Sequence, residues 1–570
     1  MKVIIVCLLI SSCFADSCID CDDKEDDTGL LQSRVSAQAE MQPEANDSQW
    51  PIDPNSYHDA GIDSKGQYFL RGPGTMAQMF WPNYGLADPR VPSISGSPPP
   101  PDKASSVAIW GSKNSGGDCT YYSPWLCNQL KCVKTIFTTP HVMAALKVDG
   151  SVVAWGSPSY GGATWSPTLK KQLTNVEAVY GNNYALAAKK LDGTVVAWGF
   201  ASIGGKIDSK VQAQLTNVET IYSNDQAFVA KKTDNTLVPW GLAASGGYCG
   251  DASKLKNVKR VFATMRAFAA LKLDNSVVAW GSRNDGGTCG THCSKLVSVQ
   301  DVFSTKGAFA ALTTDKKVVT WGKPSDGGLS NNLKLEFIDT VYAAEYAFAA
   351  QRGDAVVAWG SKHHGGDCSH ASWGNMNNLV SVCDQLTSGV AVVYAAARTF
   401  AALKKDGSVV VWGNPYTGAG VPWNPPLGLT GGYSQLTGVK TIYSSMNAFA
   451  ALKKDGSVVA WGNANAGGDM SKVEAKLKSG VEKIWSTSYS FLAKKSDGSF
   501  VAWGNPNYGG DSSKLPAELK DADAIYSTSG AFAATYRNSA TPSCTIPTTT
   551  SVMATTTTTT KEPTTTTTTT

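Results

Sequence analysis

The chain has 570 residues, 42% of them hydrophobic and 17% charged, the balance of a folded protein long enough for three or four ordinary domains. A net charge of +4 excludes a histone-like polycation, so nucleic acid is not expected as a partner, and six histidines leave little for imidazole chemistry. Beyond residue 15 no apolar run approaches the roughly 18–20 residues of a membrane helix, so no membrane span is expected.

Residues 1–15 place Lys2 before the apolar run Val3-Ile4-Ile5-Val6-Cys7-Leu8-Leu9-Ile10 and end in Ser11-Ser12-Cys13-Phe14-Ala15, the pattern of a secretory signal peptide. Residues 16–104 read as a leader without structure. Between Asp16 and Ser48, ten acidic residues against Lys24 and Arg34 give a local charge of −8 with few large apolar side chains. With Lys2 removed alongside the signal, Gln49 to Thr570 carries about +11. Asn46-Asp47-Ser48 is a candidate N-glycosylation site, and Pro98-Pro99-Pro100-Pro101 closes the leader as a semi-rigid spacer. At the other end, residues 539–570 are dominated by threonine, as in an O-glycosylated stalk, with no apolar tail of the kind a lipid anchor uses.

Residues 105–538 repeat with a period of tens of residues. Trp-Gly recurs at Trp110, Trp155, Trp198, Trp240, Trp280, Trp321, Trp359, Trp412, Trp461 and Trp503. Each unit holds three strand-like pieces, clearest between Val439 and Gly462, where β-branched and aromatic residues alternate. Asp149-Gly150, Asp192-Gly193, Asp406-Gly407, Asp455-Gly456 and Asp497-Gly498 stand between the second and third pieces and predict two-residue hairpin turns with both central residues at positive φ. The second and third pieces are apolar on both faces, so each sheet must be covered on both sides. Ser105–Gly111 supplies a Trp-Gly strand without its Ala-Phe-Ala-Ala partner, and Ala531 to Thr535 supplies that partner without a Trp-Gly strand. These features predict an all-β fold, a β-propeller of about ten short three- to four-stranded blades closed by the N- and C-terminal strands. An open superhelix, or seven blades with three extra units, satisfies the same pattern.

The run Ala401 to Gly413, with its close copy from Ala450 to Gly462, resembles the repeat of the regulator of chromosome condensation family, in which an Ala-Leu strand, an Asp-Gly turn and a Val-x-x-Trp-Gly strand follow one another. The resemblance covers all ten units and implies blades around an axis. It extends to exchange factors, light receptors, ubiquitin-ligase modules and secreted inhibitors, and the short units here are most similar to the secreted members. The Gly-x-x-His of the nuclear members is absent, and a signal peptide is at odds with exchange on an intracellular GTPase, so the fold carries over and that activity does not.

Eleven cysteines remain after the signal, an odd number for an oxidising compartment. Short loops suggest Cys18 with Cys21, Cys119 with Cys127 or Cys132, Cys289 with Cys293, and Cys368 with Cys383, leaving Cys249 and Cys544 over. His363, His364 and His370 lie beside Cys368, but in an ordinary Gly-Gly-Asp loop without a second ligand pair, so neither metal nor any cofactor is expected. Calcium at the Gly-Gly-Asp turns is disfavoured too, because Ala163, Lys206, Tyr248, Thr288 and Leu329 occupy the acidic slot elsewhere. No catalytic motif is present. Two long loops, 117–131 with Tyr121, Tyr122 and Trp125, and 414–433 with Tyr416 and Trp423, carry aromatic candidates for binding anchors. The expectation is therefore a secreted, non-enzymatic recognition scaffold for a protein or acidic polysaccharide, with a matrix or adhesive protein as the alternative, and an extracellular propeller enzyme less favoured.

Overall fold

The computed structural model describes residues 60–62, 68–70, 105–121, 124–164, 166–330, 333–369, 382–419, 435–537 and 544. Alternating β-branched and aromatic residues set its strands. In one unit, Val258–Ala263, Ala267–Lys272 and Val277–Gly281 pair antiparallel in that order. Among the described residues ten such sheets occur, each of three strands, so the expected upper bound of four is not reached there. The leader holds one short hairpin that its composition did not predict, Ala60–Ile62 paired with Tyr68–Leu70.

Ten blades form one closed ring. We number them by their first strands, from Val133–Thr138 in blade 1 to Ala522–Ser527 in blade 10. Each first strand touches the first strand of the next blade, and that of blade 10 touches that of blade 1, so first strands face the axis and outer strands carry Trp-Gly. Blade 10 draws its outer strand from the other end of the repeats. Ser105–Gly111 pairs with Ala531–Arg537 over seven residues, from Ser105↔Arg537 to Gly111↔Ala531. Both the open superhelix and the seven-blade ring are thereby excluded.

The core lies between blades. Tyr222, Ala227 and Val229 of blade 3 pack with Val258, Phe268 and Trp280 of blade 4, and Tyr526 and Ala533 of blade 10 pack the same way with Ile136 and Trp155 of blade 1. Small alanines let the sheets approach, while a Phe–Trp pair fills the outer gap, as where the rings of Phe268 and Trp280 stack at 5.4 Å. The Trp280 indole N–H then donates to the carbonyl of Gly246, on the connection from blade 3, at 3.0 Å. The Gly-Gly turn follows from the same packing. Gly246 has φ +90 and a Cβ there would lie 2.6 Å from the Phe268 ring, whereas a Cβ on Gly247 would meet the Gly241 backbone at 2.5 Å. The first glycine is thus needed for blade contact, and the second for the turn to close on its own strand end.

The hairpins differ from expectation. Only the second residue of each Asp-Gly or Asp-Asn pair has positive φ, as at Gly150 (φ 76) and Asn235 (φ 63). The Gly150 amide donates to the Lys147 carbonyl and the Lys147 amide to the Ser151 carbonyl, giving a three-residue loop rather than a two-residue turn. The aspartate is kept for its side chain, since Asp149 Oδ1 accepts from both the amide and the hydroxyl of Ser151.

Among the described residues four disulfides are formed. Cys119–Cys127, Cys289–Cys293 and Cys368–Cys383 match expectation, but Cys544 is not left over, because it pairs with Cys132 across 412 residues of sequence. Ring closure brings the end of the last blade to the start of the first, a proximity that spacing cannot reveal. Cys249 is the free thiol among the described cysteines, as expected, while Cys18 and Cys21 lie outside the described residues, as does Asn46.

Candidate recognition face

Each blade presents two ends. At one lie the Asp-Gly hairpins. At the other, the loop between first and middle strands meets the short 3-10 turn that follows Trp-Gly, because the middle strand begins opposite that glycine, as in Ala267↔Gly281. On the hairpin end the carboxylates are committed to their own turns. Asp274, for example, accepts from Ser276 Oγ at 2.6 Å and from its amide at 2.9 Å, and these bonds hold its pKa below the usual range.

At the loop end a belt of hydrogen bonds runs around the axis. The amide of Asp225 donates to Met265, Met265 to Lys306, Lys306 to Glu345, Glu345 to Ala397, Ala397 to Met446, Met446 to Ser488 and Ser488 to Ser529, at 2.8 to 3.3 Å. Side chains continue it, with Ser529 Oγ donating to the Pro140 carbonyl and Asn183 Nδ2 to Asp225 Oδ1. Pro140 has no N–H to pass the belt to Asn183. Because the links from Met265 to Ser488 use backbone groups, the side chains there differ from blade to blade.

One step outward, the last loop residue meets the 3-10 turn of the same blade, and chemistry changes from blade to blade. Ser245 Oγ donates to Gln226 Oε1 at 2.7 Å, Arg266 Nε lies 3.0 Å from Asp285 Oδ2, and ring centroids of Tyr346 and His364 are 4.7 Å apart. Tyr489 and Tyr508 sit at 4.6 Å, and His141, Tyr160 and Tyr184 form a run with 5.0 Å between neighbours. Strand positions repeat while these positions do not.

Charge is distributed unevenly on this face. The acids of its loops and 3-10 turns, Asp225, Asp285, Asp326 and Glu345, are buried. Arg266, Arg283, Lys306, Lys323, Lys362 and Arg398 cluster on blades 4 to 7. Burial works against the Lys306 ammonium, but Glu345 at 2.9 Å, Tyr346 and Asp225 outweigh it and its pKa is raised. Burial, reinforced by Arg398, His363 and Lys306, pushes His364 down to about 4, and burial alone does the same to His141. Both imidazoles are therefore neutral at pH 7. Ser361 Oγ lies 2.6 Å from His364 Nδ1, the reach of a nucleophile and its base, yet Ser282 Oγ makes the same i,i+3 bond to Asp285, so this is how the 3-10 turn is closed.

The sequence-predicted anchors are placed only in part. Tyr416 stands 67% exposed on the Pro415–Thr417 turn, on the loop face. Tyr121 and Trp125 are exposed on the connection from blade 10 to blade 1, held by Cys119–Cys127, with Lys113 Nζ 5.1 Å above the Tyr121 ring. Tyr122, Trp423 and His370 lie outside the described residues. The structure does not unite Tyr121 with Tyr416, which belong to connections far apart around the ring. Insertion length drew attention to those loops, whereas the paired loop residues occupy short turns with no such signal. Among the described residues no group of three or more His, Cys, Asp or Glu side chains is disposed to hold a metal, and no helix is long and apolar enough to cross a membrane.

No protein-family profile matches the chain, and no curated protein matches it. Solved structures do. Prp20p from Saccharomyces cerevisiae, described with its binding to Gsp1p and histones, is 12% identical with a TM-score of 0.33, covering 78% of this chain and 93% of its own. The ectodomain of the Physcomitrella patens receptor kinase CR4 is 12% identical at 0.26, covering 49% and 70%. The CRINKLY WD40 ectodomain of the Arabidopsis thaliana receptor kinase ACR4 is 16% identical at 0.24, covering 48% and 90%. At these scores the likenesses carry no argument beyond the strand pairing already described.

Proposed function

We propose that this chain is an exported, non-enzymatic recognition scaffold, similar in repeat to the regulator of chromosome condensation family, that engages a protein or an acidic polysaccharide through its loop face. The observation that carries this reading is the division of labour within the repeat. Trp, Gly and Ala positions are spent on blade contact, whereas the loop and 3-10 positions of one face change blade by blade between cation, aromatic and amide, over a backbone belt that tolerates the change. Export is supported by the signal-like segment and by four disulfides, which persist in oxidising compartments.

The test uses the secreted chain against arrayed glycans and extracellular proteins, with Tyr184→Ser and Tyr489→Ser on the loop face compared with Lys256→Ala and Lys454→Ala on the hairpin face. Binding lost only in the first pair is expected. Binding lost only in the second pair, or turnover of a bound partner, overturns the proposal.

A further inference from the structure

Between the connection that follows blade 4 and the one that follows blade 5 lies a cleft of about 470 Å³. Arg283, Asn284, Thr288, Thr291, His292 and Lys323 supply its polar lining, and no acidic side chain lines it. We propose that this cleft is a subsite for an anionic sugar, a sulfated or uronate unit of an extracellular polysaccharide. The proposal rests on the loop-face reading above and narrows it to one site and one ligand class.

Four observations converge. First, the cations are available. Arg283 is exposed and in no ion pair among the described residues, and Lys323, 3.3 Å from Asp326, keeps its side chain 47% exposed while that carboxylate is buried. Second, the slot that holds Asp118, Asp367, Asp469 and Asp511 after other Gly-Gly turns holds Thr288 here, so a hydroxyl stands where a carboxylate would repel an anion.

Third, one wall is fixed. The 3-10 turn Gly290–Lys295 is clamped by Cys289–Cys293, and the floor is the Trp321-Gly322 strand end, with Trp321 buried. A clamped wall loses little freedom when a ligand arrives. Fourth, a further cation adjoins the site, because Arg266, paired with the buried Asp285 of the same connection, keeps its side chain 49% exposed. A saccharide suits the lining better than an acidic peptide does. Hydroxyl and amide groups alternate with spaced cations, and Leu329 is the one exposed large apolar side chain on the cleft.

The experiment measures binding of a heparin decasaccharide and of polyglutamate of equal charge to the full secreted chain at low salt, by calorimetry. Arg283→Ala/Lys323→Ala should weaken heparin at least tenfold, Arg283→Gln/Lys323→Gln should do the same, and Lys256→Ala/Lys454→Ala on the hairpin face should stay within twofold. Arg283, Lys256 and Lys454 are exposed outside ion pairs among the described residues, so Arg283→Ala and Lys256→Ala/Lys454→Ala should keep the parent's melting temperature; Lys323 pairs with the buried Asp326, so Arg283→Ala alone, expected to weaken heparin at least threefold, separates the cleft from that loss of stability. If the cleft variants bind within twofold of the parent while Tyr184→Ser still loses binding, the cleft assignment fails and the loop face stands. Tighter binding of polyglutamate than heparin overturns the sugar assignment. No heparin binding by the parent overturns the inference and leaves a protein as the partner of the loop face.

Discussion

Two tryptophans isolate the value of the indole latch. The Trp280 N–H donates to Gly246, whereas the buried Trp461 N–H has no partner. Trp280→Phe should therefore cost about 1–2 kcal/mol more than Trp461→Phe, measured by denaturant unfolding, since packing loss is common to both. Equal losses would remove the hydrogen bond from the account. His141 gives a pH dependence of known sign. Its folded pKa of about 4 lies below the ordinary 6.5, so the unfolded chain takes up the proton first, and stability present above pH 6.5 is lost as pH falls towards 4. Allowing for its partial exposure, that loss is about 2 kcal/mol, and His141→Gln should remove this share while leaving the one that His364 adds with the same sign. The Trp-Gly latch was half legible in sequence. Its period was plain, but the reason for the first glycine of Gly-Gly, a Cβ that would strike the next blade's phenylalanine, needs the neighbouring sheet.

Closure depends on two elements drawn from opposite ends of the repeats. Deleting residues 105–111 removes Trp110 and bares the Ala531–Arg537 edge, so stability should drop by at least about 3–5 kcal/mol, the cost of one lost core tryptophan. An unchanged melting curve would contradict the ring. The Cys132–Cys544 bond staples the same seam, and replacing both cysteines with serine should cost about 2–5 kcal/mol without altering the fold seen by circular dichroism. Strand order could be read from the sequence because it is a local pattern repeated ten times, and the complementary ends because each lacks a piece that every other unit has. The staple could not, because its partners meet only after all ten blades have closed. The three-residue hairpin loop was misread for a related reason, since Asp-Gly serves both turn types and the aspartate's bond to the residue two on decides between them.

For the whole molecule, the legible part was the scaffold and the hidden part was the face. Aromatic insertions at 117–131 and 414–433 stood out by length, while His141, Tyr184, Arg266, Tyr346 and Tyr489 sit in turns as short as any other and become a surface only when the ring arrays them. The stretch from Asp16 to Ser48 carries −8 and the remainder about +11, so, if the leader competes for the same cations, a chain beginning at Ser105 should bind heparin more tightly than one beginning at Asp16 at low salt, with the difference erased at moderate salt. Equal binding at low salt would dismiss the leader as a competitor. The most direct test of the proposed recognition face is amide hydrogen exchange of the full chain with and without heparin. Protection confined to the loop end, strongest over residues 282–292 and 322–329, is the result predicted; protection over the Asp-Gly hairpins instead would contradict it.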